Sequence, residues 1–197
     1  MFARGFKSWC ENVALQQRRN LRLPSTAPLD PFLLAKQLGV VVWGPADVPE
    51  VLAVTIKVLT VDDPSSWSAI SLQANGRQLV IVNPSHSKGR TASNLMHELS
   101  HFLLEHKAAR VDVSQDGLLL NTYVKGQERE ADWLAGCLLL PRDALLETRR
   151  QGLSDEVAAA NYGTSVAMFT YRVRVTGIDL QLGRSTRVGR KAGKSAD

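Results

Sequence analysis

Residues 94–105 run for twelve positions without glycine or proline, and within them two histidines stand four apart in His97-Glu98-Leu99-Ser100-His101. The stretch predicts a helix over about 90–105. Helical residues four apart lie about 6 Å apart along the axis and about 40° apart around it. Both imidazoles therefore stand on one face, where they can close on a single ion at about 2.0–2.1 Å. Glu98 borders that face and is suited to take a proton from an attacking water rather than to ligate. The alternative is two half-exposed helix histidines beside an ordinary solvated glutamate. The hairpin before the motif and the acidic helix after it favour the metal reading.

A hydrolytic metal site needs a third protein ligand and one open position. A third histidine six residues beyond the second would be position 107, which is Lys107, and the glycine that lets such a chain bend back would be position 104, which is Leu104. That class fails. His106 falls on the opposite face of a continuing helix and reads as a surface or helix-end residue. Glu105 lies on the right stripe but about 12 Å along the axis from His97, too far to share an ion. The next acids lie in 127–138. Glu130 shares its stripe with Trp133, Leu134, Cys137 and Leu138, and a carboxylate there needs a partner, because an isolated buried charge is very costly. Glu128 shares its face with Ala131, Asp132 and Ala135 and reads as more solvated. Glu130 is therefore the expected third ligand, with a salt bridge to an arginine as its alternative.

The expected scaffold is α+β: a small antiparallel sheet packed with the His97–His101 helix and a second ligand helix, followed by a helix-turn-helix-like segment. Phe6, Trp9, Cys10, Val13 and Ala14 predict an opening amphipathic helix to about residue 19. Asp30-Pro31 opens, and Gly39 closes, a short helix over 32–38. A strand follows over 40–43 and a helix over 49–59. Strands 67–72 and 78–83 flank Asn75-Gly76, the favoured two-residue hairpin turn. One of these strands is expected at an exposed edge, where an extended peptide can add to it. The second ligand helix spans about 127–140 and stops at Pro141, and two short helices surround Gly163 within 153–175. The expected divisions are an N-terminal helix and linker (1–28), the metal domain (29–150), the helix-turn-helix-like segment (151–178) and a basic, disordered tail (179–197).

The chain has no apolar run near the roughly 20 residues a membrane helix needs, so no membrane partner is expected. The absence of a signal-like N-terminus and the presence of only two cysteines, Cys10 and Cys137, point to the cytoplasm. Seven basic and two acidic residues from Arg172 onward account for the whole net charge of +5, so the preceding 171 residues carry no net field for nucleic acid. Arg172 and Arg174 in the last helix are the candidate contacts to a partner or to DNA, and the tail could add weak phosphate contacts. Cys137 reads as a small buried core residue.

At the level of motifs, the sequence resembles the ImmA/IrrE metallo-endopeptidases. The resemblance rests on His97-Glu98-Leu99-Ser100-His101, Glu130-Ala131 and Leu138-Leu139-Leu140-Pro141. Trp67-Ser68-Ala69, Ile81-Val82-Asn83-Pro84 and Arg90 also fit the run before the zinc helix of that family. It extends from about residue 29 to 177, with Ser100 where the family usually has glycine. It implies a pared-down thermolysin-like core holding one zinc per chain, other divalent metals being possible. His97, His101 and Glu130 would be ligands and Glu98 the general base, with Tyr123 and His106 the nearest residues to a transition-state donor. It further implies cleavage of a helix-turn-helix repressor, relieving repression in a stress response or in mobile-element control. The rival is a DNA-binding regulator whose metal site is structural or vestigial.

Overall fold

The computed structural model describes residues 2–74, 77–107, 110–113 and 119–183. Helix α1 (Phe6–Asn20) buries Cys10, Ala14 and Arg18. Helix α2 (Pro31–Leu38) carries the signals expected of it. The Asp30 carboxylate accepts from the Phe32 N–H at 2.8 Å, Pro31 takes the first helical position, and Gly39 closes the helix at φ 70°. Strand β1 (Val41–Trp43) follows. The single helix expected over 49–59 is instead a 3₁₀ turn, Pro45–Asp47, then α3 (Ala53–Lys57) running into a wider turn to Asp62. Pro49 has no N–H to give a helix, and Glu50 sits at φ 63°, so helical geometry starts only after Leu52.

Strands β2 (Ala69–Ala74) and β3 (Arg77–Val82) pair antiparallel with Gln73 opposite Gln78. The Asn75-Gly76 turn itself lies outside the described residues. Helix α4 (Lys88–Leu103) carries the two histidines. It is followed by a second hairpin, β4 (Arg110–Val113) and β5 (Leu119–Thr122), then by α5 (Lys125–Leu139), which gives way at Leu140-Pro141. Helices α6 (Arg142–Arg150), α7 (Asp155–Asn161) and α8 (Val166–Thr176) complete the chain up to Gly177, and the side chains of Ser154 and Ser165 cap the last two. Of the expected tail, residues 184–197 lie outside the described residues.

The class is α+β, as expected, but the sheet is mixed. Its order is β1-β3-β2-β5-β4, and the β1–β3 pair is parallel. The hairpin strands are consequently not edges: β3 lies between β1 and β2, and β2 between β3 and β5. Among the described strands the edges are β1 and β4, so the expectation of a peptide adding to β2 or β3 is corrected. Strand alternation divides β3 between two faces. Val80 and Val82 join the main core against α4 and α5, whereas Leu79 and Ile81 join Leu72 in a smaller cluster on the other face. The main core is continuous from Cys10 of α1 to Phe169 and Val173 of α8.

Arg172 is fully buried, which corrects its expected role as a partner or DNA contact. Its guanidinium donates to Glu11 at 2.6 Å and to the Leu140 carbonyl at 3.1 Å. Its stem fills the space above Gly136, where a Cβ would stand 2.8 Å from the arginine Cδ. The same apolar spacing serves a DNA-reading helix and a helix packed on its neighbour, and here α8 is the second. Arg174 remains exposed, beside the Tyr171 ring. Glu11→Ala strands the buried Arg172 charge and should destabilise the fold by about 3 kcal/mol, the low end for breaking a buried pair, because Glu11 is partly exposed. Chemical denaturation checks this, and a midpoint equal to that of the parent chain would contradict it.

Candidate metal centre

Helix α4 presents His97 and His101 one turn apart, and α5 packs beside it. The two Nε2 atoms stand 3.1 Å apart. Glu128, in the first turn of α5, places Oε2 3.1 Å from His97 Nε2 and Oε1 3.8 Å from His101 Nε2. Donors bound tetrahedrally to one ion at 2.0–2.1 Å stand about 3.3 Å from one another, so the three converge as a metal triad would. Among the described residues this is the group of histidine, cysteine and acidic side chains that could hold an ion.

The hydrogen bonds behind the rings decide what faces inward. His97 Nδ1 lies 2.9 Å from Asp132 Oδ1 and His101 Nδ1 lies 3.0 Å from His106 Nδ1. A proton on each ligand Nδ1 leaves both Nε2 lone pairs, and a carboxylate, pointing at one spot. Such an arrangement is repulsive until a cation fills it, and this donor chemistry fits a divalent ion. Burial, with the neighbouring His97 and His106, pushes His101 down to about 3, so it offers a neutral imidazole to an ion. Burial opposes charging of His97 too, but the Asp132 hydrogen bond and the charges of Glu98, Asp132 and Glu128 outweigh it and raise its pKa. An ion entering the cage would displace that proton.

Glu98 points towards the sheet, where the Ser71 hydroxyl of β2 donates to its Oε2. Burial lifts its carboxyl above the ordinary range, although the Ser71 bond and His97 pull the other way. A raised carboxylate held next to the cage but outside it suits a group that accepts and returns a proton. The Tyr123 ring stacks on His101 with centroids 3.7 Å apart.

Glu130 is not brought into the triad. Its Oε2 lies 3.2 Å from His106 Nε2, and Glu128 takes the place expected of it. Two positions along a helix turn about 200°, so the two glutamates face different ways. The apolar stripe of α5 faces the common core, whereas its Glu128–Ala131–Asp132 face meets α4. The usable signal was the pair Glu128 and Asp132, four apart like His97 and His101.

Of the two readings of His106, the structure keeps the helix end and corrects the surface, its side chain being 7% exposed. The helix ends at Leu103 and Glu105 adopts φ 52°. The Glu105 N–H donates to the Phe102 carbonyl and the His106 N–H to that of His101, the two bonds of a Schellman motif. A left-handed non-glycine residue costs about 1–2 kcal/mol. The result folds His106 back under His101, on its Nδ1 side and away from the triad.

The sequence model of one family, Peptidase_M78, described as the IrrE N-terminal-like domain, matches residues 53–174, from α3 into α8. No curated protein and no solved structure matches the chain.

Proposed function

This chain belongs to the Peptidase_M78 family of metallopeptidases, and from that premise we propose that it is a zinc-dependent endopeptidase that cuts a helix-turn-helix repressor in the cytoplasm. The observation that carries the reading is the meeting of the His97, His101 and Glu128 donors at one point, with Glu98 beside it. In this proposal those three residues hold the ion. A bound zinc would polarise the scissile carbonyl and acidify the attacking water. Glu98 takes the proton of that water and returns it to the leaving amine. Ser71 holds the Glu98 carboxylate and Asp132 holds the His97 ring, so neither group has to be ordered during the reaction.

The rival reading, a DNA-binding regulator with a structural metal, is less well supported. A structural zinc ordinarily has four protein ligands, and three donors meet among the described residues. With Arg172 buried, the last helix keeps only Arg174 of its two proposed contacts. No helix among the described residues is long and apolar enough to cross a membrane. Release of a repressor would suit a stress response or control of a mobile element.

Chelation tests the proposal. Incubation of the zinc-loaded protein with a helix-turn-helix repressor, taken from a neighbouring gene where one is encoded there, should give discrete fragments. A chelator should stop cleavage while leaving the circular dichroism spectrum unchanged, because a continuous apolar core holds the fold without the ion. Collapse of the spectrum on chelation would mark the metal as structural. An intact repressor, free and DNA-bound, beside ready cleavage of unrelated unfolded proteins would replace the repressor reading with that of a housekeeping peptidase.

A further inference from the structure

We propose that His106 and Glu130 act as a relay that fixes the ring of His101, and so set the affinity of the metal cage without touching the ion. The inference rests on the metal reading above. A histidine that ligates through Nε2 needs an acceptor for its Nδ1–H, which sets both the tautomer and the ring orientation. His97 has a carboxylate directly, Asp132 at 2.9 Å. His101 is 2% exposed, and what faces its Nδ1 is a second imidazole, His106 Nδ1 at 3.0 Å. One of those two nitrogens must donate. The next contact decides which, because His106 Nε2 lies 3.2 Å from Glu130 Oε2 and an ionised carboxylate only accepts. A neutral His106 therefore carries its proton on Nε2, leaving its Nδ1 as the acceptor. His101 Nδ1 donates to it, and His101 Nε2 is left bare towards His97 and Glu128.

The relay gives roles to three features that the triad leaves unexplained. The His106 side chain is only 7% exposed although it ligates nothing. Glu130 lies on the α5 face that the cage does not use. Glu105 holds a left-handed φ, and this brings His106 back beneath the ring it supports. Asp132 and Glu130 thus serve the two ligand histidines, one directly and one through a second imidazole. Both are positioning residues.

Zinc affinity, measured by competition with a chromophoric chelator, tests this, alongside the thermal midpoint of the metal-free protein. His106→Phe keeps a ring but removes the acceptor, and it should weaken zinc binding by about 10–100-fold. His106→Asn places an amide oxygen near the Nδ1 position and should recover most of that loss, which a merely space-filling role would not do. His106→Gln extends past that position and should behave like His106→Phe, so it carries the test if the latter fails to fold. Glu130→Ala leaves His106 in place and should cost at most about 10-fold. Parent-like zinc affinity in His106→Phe or His106→Gln overturns the relay and leaves the metal reading standing. A parent chain that takes up no zinc overturns both.

Discussion

Glu98→Gln should keep about one zinc per chain and lower turnover by about 10²–10⁴-fold, the range that a positioned general base supplies. The substitution preserves size and leaves an amide oxygen to accept from Ser71, so the contact to β2 persists. It removes the lone pair that must take a proton. None of the three converging donors belongs to Glu98, so the cage should hold its ion with unchanged affinity. Turnover of an unfolded peptide, measured beside zinc content and circular dichroism, separates the possibilities. Turnover within about threefold of the parent chain would place the base elsewhere. Loss of the metal together with activity would make Glu98 part of the cage.

A sequence pattern is legible to the extent that it has one structural meaning. The two histidines four apart in a run free of glycine and proline have one, and α4 carries them as expected. Asp30-Pro31 with Gly39 likewise specified α2, and the pairing on either side of Asn75-Gly76 specified the β2–β3 register. Four-residue strands such as β4 and β5 carry too little periodicity to stand out. They are defined by pairing with each other and by the backbone pairing of β5 with β2 at Leu72 and Leu120. The parallel partner of β1 is equally a tertiary choice.

At the site, periodicity alone marks the apolar stripe of α5 as the face whose carboxylate needs a partner. Which side of α5 meets α4 depends on where α1 and α8 pack, and no local signal in α5 reports that. The misplacing of His106 came from extending α4 by periodicity alone. Glu105 gives no glycine warning that the helix turns back there. Arg172 shows the same limit: a basic residue in the second helix of a pair reads as a contact until its burial against Glu11 is seen.

The identity of the third ligand is the second large effect. Glu128→Ala removes the sole carboxylate of the triad and leaves two histidines, and outer partners alone are worth about 10–100-fold in affinity, so a direct ligand should exceed that. Zinc should be lost on dialysis, and activity with it. Glu130→Ala changes a residue that meets His106 rather than the cage and should retain its ion. Equilibrium dialysis against zinc, run on the parent chain and these two variants, tests the central claim most directly. The account predicts about one zinc per chain for the parent and for Glu130→Ala, and a small fraction of that for Glu128→Ala. Full occupancy in Glu128→Ala with loss in Glu130→Ala would contradict it.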